Sequence, residues 1–437
     1  MANPEAPARR PLATRLFGVR LFFHSRSRQR VGLMLVILGA ALYVGRAVTQ
    51  LFLLRRELPN ADFQWFYDAA VSVGAGRDPY QVFLRTRCPG GAHQWCYGGY
   101  IYPPLLAELL RPLAHFDVVT ADAIWVLLSH AMLVAAGLVT YRAIARDLPI
   151  GGGAILLAAA LFFLPIYQNL YSGSVGAPLV LLLALSAARF LEGGDAGAGA
   201  WLGVGAVLRV TPVAMAPLLI RGRADLRRPL GVVALVATGG ALMLALAALT
   251  PYTVEYVTRV LPRLSGGSDV VSNVSLPGVL LRFQKAFLGG RFSELGLVLG
   301  TPLAVLFLAI TWWQARGADG RAGRAAAFAA FLAVTALVSS ITWNYHLVNE
   351  MLVFALLAPW LGRGRHALWL AVLAYPLLWI YSDGVLAATG LRPRGLLPAS
   401  AFLVITSLNA IGMLMLWLAC LDILRGLRRA GGAPVIR

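Results

Sequence analysis

Long apolar runs alternate with short basic or aromatic segments along almost the whole chain. A helix needs roughly 20 apolar residues to cross the hydrocarbon core of a bilayer. The runs at 31–54, 117–142, 150–168, 173–191, 229–250, 293–314, 324–343, 346–361, 366–381 and 398–424 are candidates for such crossings. The stretch 198–220 is apolar too, but Arg209-Val210-Thr211-Pro212 breaks it in the middle. Read as one crossing, it would put Arg221, Arg223, Arg227 and Arg228 on the outer side, against the preference of arginine for cytoplasmic loops. Read as a helix–break–helix hairpin, it returns them to the cytoplasm. Arg142/Arg146, Arg316/Arg321/Arg324, Arg363/Arg365 and Arg425/Arg428/Arg429 then fall inside as well. The pattern therefore predicts an all-α polytopic membrane protein with roughly eleven membrane elements.

Composition agrees with this: 59% of residues are hydrophobic and 13% charged, where a soluble domain carries about 25% charged residues. A net charge of +19 would point to nucleic acid in a soluble protein. Here the arginines sit between apolar runs and read as topology signals, so membrane lipids are the expected surroundings and no nucleic-acid partner is expected. Residues 1–30 hold seven arginines against Glu5 and form a basic cytoplasmic N-terminus. No small-residue cleavage site follows the first apolar run, so it reads as an uncleaved span. A single membrane domain over 31–425 and a cytoplasmic tail over 426–437 complete the plan, in the cell membrane with both termini inside. Two long segments, 55–116 and 251–292, face outward, with shorter outer pieces at 169–172, 343–346 and 382–397. No repeat of fixed period is present, which argues against inverted-repeat transporters.

The chemistry-bearing residues gather in those outer segments. Asp62 heads an amphipathic stretch, Asp62 to Gly76, just after the first span. A carboxylate there is placed to deprotonate a hydroxyl, and equally to cap a helix. The aromatic residues at 63, 66 and 67 could bury that stretch in the membrane interface. In Tyr102-Pro103-Pro104 the prolines enforce an extended approach to the next helix and hold Tyr102 at a fixed point. His346, in Trp343-Asn344-Tyr345-His346, lies at the outer mouth between two spans, as an aromatic-belt residue or as a group that meets phosphate. Arg209 in an apolar hairpin needs a polar cavity, an anion, or a route to the membrane surface. Arg46 in the first span raises the same question. Asn273, Arg259, Arg263, Arg282 and Lys285 are further outer-face candidates. Cys88 and Cys96 flank a Gly/Pro-rich stretch and could form a disulfide in an oxidising compartment. With His93 they lack a fourth metal ligand, so no metal site is expected. Cys420 is alone in the last span. No nucleotide-binding or hydrolase signature occurs, so no cofactor and no nucleotide-sugar donor are expected.

Taken in order, several of these pieces resemble glycosyltransferase family 87. They are Asp62-Phe63 with Tyr67 and Ala70; Tyr102-Pro103-Pro104; Tyr171-Ser172-Gly173-Ser174-Val175-Gly176; Arg209 with Pro212; Asn273-Val274-Ser275; and Ser340 through His346. The resemblance implies a GT-C type membrane enzyme that moves a sugar, mannose or alternatively arabinofuranose, from polyprenyl phosphate to a lipid or glycan acceptor with inversion. It implies Asp62 as general base, with His346 as its catalytic companion. Arg209, helped by His346, would hold the donor phosphate, and Tyr102, Asn344, Tyr345 and Asn273 would contact substrate. The chain departs from the family's habits at Tyr345-His346, where paired histidines are common, at Ser174 and Gly176, where Gln and Asn are, and at Arg209, where lysine is. Those departures bear on the sugar and the acceptor more than on the reaction. A flippase for lipid-linked sugars is the reading from another class.

Overall fold

The computed structural model describes residues 25–50, 61–86, 98–220, 229–288, 295–391 and 395–431. Cys88 and Cys96 lie outside the described residues, so the expected disulfide does too.

The described residues are helical, with one isolated β-bridge between Asn273 and Trp343. The principal helices are α1 (Ser25–Val48), α2 (Ala61–Gly74), α3 (Val118–Ile144), α4 (Gly152–Phe162), α5 (Leu164–Ser172), α6 (Gly176–Leu191) and α7 (Asp195–Leu208). They continue with α8 (Pro229–Leu249), α9 (Leu276–Phe287), α10 (Leu295–Ala315), α11 (Gly320–Val338), α12 (Glu350–Leu357), α13 (Ala367–Leu377), α14 (Ser382–Thr389) and α15 (Leu396–Gly431).

Among the described residues, six stretches are long and apolar enough to cross a bilayer, and up to eight if each bent pair is one span. That is fewer than the eleven elements expected, for identifiable reasons. The run at 150–168 becomes α4 and α5, bent by 46° at Phe163 just before Pro165. The run at 366–381 becomes α13 and α14, bent by 53°. The run at 346–361 is two 3₁₀ pieces, Asn344–Asn349 and Ala358–Arg363, around α12. At 1.5 Å per residue, α6 and α7 are each too short to cross ~30 Å alone.

Alanines explain the centre. Ala325, Ala326, Ala327, Ala329, Ala330 and Ala333 make α11 thin enough for neighbours to close on it from every side, and Phe328 and Phe331 fill the gaps they leave. Phe328 meets Phe190 of α6 with ring centroids 5.8 Å apart. Lipid-facing helices show the reverse pattern, with Met34, Leu244 and Leu249 exposed. Glycines bring α7 and α8 together: the backbone of Gly231 lies directly against Gly199, and that of Leu235 against Gly203.

The bundle has two unlike ends. At the basic end, Arg321 pairs with Asp147 at 2.5 Å and Arg324 with Asp195 at 3.0 Å. There Asp422 of α15 accepts from the backbone N–H of His366 (2.6 Å) and Ala367 (3.0 Å), capping α13 from a distance. The expected hairpin is present. α7 rises from Asp195 at this end to Arg209, and a 3₁₀ run, Thr211–Leu219, returns. The Ile220 carbonyl then accepts from Trp312 Nε1 at 2.8 Å, close to Arg316 at the foot of α10. The Pro212 ring lies against Gly205, two residues that a continuous helix would separate by about 10 Å. Arg209 is thus the apex of the hairpin, at the end of the bundle opposite the ion pairs.

The glycine contact gives a direct test of this packing. A Cβ at Gly199 would collide with the Gly231 carbonyl, whereas nothing lies within 4 Å of one at Gly240 of the same helix pair. Gly199→Ala should therefore destabilise the protein by ~1–3 kcal/mol through overpacking. Gly240→Ala should be neutral or stabilise by up to about 1 kcal/mol through helix propensity. Thermal unfolding of the two purified variants measures the contrast, and equal behaviour would refute the α7–α8 contact.

Candidate active site

α2 owes its place to aromatic packing. Phe63 and Phe66 are fully buried. Phe63 stacks on Trp125 of α3 at 6.2 Å, and Phe66 meets Tyr102 edge-on at 5.1 Å. Tyr67 donates to the Phe116 carbonyl at 2.8 Å. These rings enter the protein, not the membrane interface as their spacing had suggested. Trp125 Nε1 in turn donates 2.7 Å to the carbonyl of Gly173, whose φ of +67° closes α5 and turns the chain into α6. Tyr102 is held as the prolines required: its carbonyl accepts from Tyr80 at 2.8 Å, and Pro103 and Pro104 open the helix that follows.

So pinned, α2 turns Asp62 toward a cavity of about 950 Å³. Asp62 lies within the first turn, and its Oδ2 is buried with no hydrogen-bond partner. An N-cap residue precedes its helix, whereas Asp62 is the second residue of α2. Burial pushes the carboxyl up to about 6, partly opposed by the nearby Tyr345 and Ser174 hydroxyls and the charge of Arg209. Tyr102, Asn344 and Tyr345 line the same cavity, as do Trp65, Ser172 and Ser272.

Arg209 and His346 form the layer beside it. Arg209 Nη2 lies 2.8 Å from His346 Nδ1, and the Trp343 backbone N–H donates to the same nitrogen at 3.0 Å. A nitrogen that accepts two donors carries no proton, so the ring is neutral with its hydrogen on Nε2. His346 therefore steadies the guanidinium and is not itself a proton donor to it. The two residues line a separate space of about 20 Å³ together with Thr335, Thr342 and Asn349. Neither borders the larger cavity. Among the described residues no carboxylate forms an ion pair with Arg209, yet Asp62, Tyr102 and Tyr345 all lie within its electrostatic reach.

The loop that carries these groups is bracketed from behind. Asn273 is fully buried, donating from Nδ2 to the carbonyls of Ser268 (2.8 Å) and Ser340 (3.1 Å). Its Oδ1 accepts from the Thr342 N–H (2.9 Å) and the Ser275 hydroxyl (2.9 Å). Every polar atom of Asn273 is thus committed inward, so the expected substrate contact is corrected to a positioning role. Arg282 is likewise internal, donating to the carbonyls of Val270, Asn273 and Thr406. Arg263 ties the segment after α8 to the one after α2 through the carbonyls of Phe83 and Leu84. Arg259 and Lys285 form exposed ion pairs with Glu255 and Asp269.

The cavity also draws on residues with no prior assignment: Tyr43 of α1, His130 of α3, and Tyr167 and Gln168 of α5. The available signal was a histidine and tyrosines inside apolar runs. Arg46 joins them.

The family model for glycosyltransferase family 87 matches residues 100–341, more than half of the chain. The chain belongs to glycosyltransferase family 87. No curated protein matches it. Membership makes this helical bundle a membrane glycosyltransferase, with a sugar donor and an acceptor. Asp62 and His346 lie outside the matched residues. The side-chain amide of Asn169 occupies the space that a side chain at Gly176 would need.

The bracket is testable. Asn273→Ala leaves the Thr342 N–H and the Ser340 carbonyl without their partner, which should cost ~1–3 kcal/mol for each buried group stranded. Thermal unfolding should fall accordingly, and transferase activity should fall through misplacement of 340–346. Unchanged stability and a raised KM alone would restore the substrate-contact role.

Proposed function

We propose that this family 87 enzyme transfers a sugar, mannose by preference, from polyprenyl phosphate to a hydroxyl of a lipid or glycan acceptor. The reading is carried by one observation: a carboxylate with a buried oxygen that has no hydrogen-bond partner among the described residues, at the wall of a large cavity, near a guanidinium with which no described carboxylate forms an ion pair. The acceptor oxygen attacks the anomeric carbon as the bond from that carbon to the phosphate oxygen breaks. The bonding pair leaves with the phosphate, Asp62 takes the hydroxyl proton, and the anomeric configuration inverts. Arg209, steadied by His346, supplies positive potential as charge develops on the departing phosphate. Arg209 does not line the Asp62 cavity, so this effect acts through space. Tyr102, Asn344 and Tyr345 shape the sugar pocket. Clustering of these groups at one end of the bundle favours chemistry over transport along it.

The basic end lies in the cytoplasm on this reading, and Asp62 works at the outer face of the cell membrane. In a variant with its native cysteines replaced by serine, Gln81→Cys should react with an impermeant thiol reagent in intact cells. Labelling only after lysis would invert the orientation.

Asp62→Asn removes the base with little change in shape. Transfer should fall at least ~100-fold while folding and donor binding persist. Because the base acts only when ionised, wild-type activity should decline as the pH drops through about 6. Arg209 helps to keep Asp62 ionised, so Arg209→Gln should move that decline to higher pH. Near-normal transfer by Asp62→Asn, or a flat profile between pH 5 and 7, would exclude Asp62 as the base.

A further inference from the structure

Arg46 occupies the last turn of α1, about 24 Å along the helix from Arg30 at 1.5 Å per residue. The basic N-terminal flank marks one end of this span, so Arg46 stands at the other, where arginine is disfavoured unless something there calls for it. Tyr43, Arg46 and Gln50 follow one another at helical spacing and all line the Asp62 cavity. Ile37, Val44 and Val48 are exposed on the rest of the helix.

The neighbours of Arg46 are matched with neutral partners. Tyr43 Oη hydrogen-bonds His130 Nδ1, and Gln50 Nε2 donates to the Leu170 carbonyl at 2.6 Å. Arg46 lies over the ring of Tyr167, its Cζ 4.1 Å from the centroid, and also interacts with the Tyr167 hydroxyl; a neutral phenol orients a guanidinium without cancelling its charge. Among the described residues no carboxylate pairs with it, and Asp62 is the only acidic side chain lining the cavity. The cavity thus carries its acid on α2 and an uncompensated planar cation on the lipid-facing helix. A guanidinium fixed on an aromatic side chain at an apolar boundary matches the oxygens of a phosphate ester.

We propose that Arg46, backed by Tyr167, forms a phosphate subsite for a membrane lipid at the bilayer-facing side of the Asp62 cavity, distinct from Arg209. The lipid chain runs out along the exposed apolar face of α1, and its head reaches inward toward Asp62. The phosphate belongs to the polyprenyl donor or to an anionic acceptor lipid. That assignment rests on the transferase reading, but the binding does not.

The test uses the full-length protein in phosphatidylcholine nanodiscs, titrated separately with undecaprenyl phosphate, phosphatidylglycerol and inorganic phosphate. Wild type, Arg46→Gln, Arg46→Lys and Asp62→Asn are compared. Arg46→Gln should weaken binding of one of the two lipids by about tenfold or more, with Arg46→Lys recovering part of the loss. Loss for undecaprenyl phosphate identifies the donor as the source; loss for phosphatidylglycerol identifies an anionic acceptor. Asp62→Asn should bind as wild type does, so the subsite stands or falls separately from the transfer chemistry. Lipid affinities that are equal in wild type, Arg46→Gln and Arg46→Lys would overturn the proposal, as would an effect confined to inorganic phosphate. If Arg46→Gln fails to fold, Arg46→Lys decides alone, since it keeps the charge but loses the planar fork and should weaken lipid binding measurably.

Discussion

A guanidinium at the apex of an apolar hairpin is the constraint around which this protein is organised. Arg209 cannot reach the basic end of the bundle, and among the described residues no carboxylate forms an ion pair with it. A charge so placed is costly unless polar groups are held around it. His346 answers that need with its unprotonated Nδ1, and the Trp343 N–H fixes the ring that carries it. Asp62 shares the same field: the charge that must be accommodated is also one of the influences that keep a buried carboxylate ionised. Structure and chemistry therefore draw on one electrostatic arrangement.

That arrangement needs a rigid frame, and the segments between the crossing helices build it from internal hydrogen bonds. Asn273 and Arg282 bind the backbone on both sides of the short bridge to Trp343, and Arg263 joins the segment after α8 to the one after α2. Aromatic packing on Trp125 sets α2, and with it Asp62. The Asp62 end of the molecule thus uses polar side chains as struts, while the crossing helices depend on alanine and glycine for close approach.

Much of this was legible in the sequence. The hairpin follows from the break at 209–212 together with the arginine distribution, because charge sidedness is a strong constraint on a chain with so many apolar runs. Asp62, Tyr102, Asn344 and Tyr345 were named from outer segments far apart in sequence, and they line one cavity. Other features were not readable. An amphipathic helix that packs on protein has the same periodicity as one that packs on lipid, so the aromatic residues of α2 were placed outside. Hydropathy sums across a bend, which hid the breaks at Phe163 and after Leu377. A buried asparagine satisfied by backbone looks like one that meets a ligand, hence Asn273. Tyr43 and His130 meet across 87 positions, a separation no local pattern reveals.

The central claim is that the Asp62 cavity is where the sugar changes hands. Its most direct test is a cryo-electron microscopy structure of the protein in lipid nanodiscs with a non-transferable polyprenyl-phosphate sugar analogue and an acceptor. The account predicts sugar density inside the cavity, with the acceptor hydroxyl in hydrogen-bond reach of an Asp62 carboxylate oxygen, about 3 Å. A donor seated with its sugar at the basic end, or an Asp62 carboxylate turned away from both ligands, would contradict it.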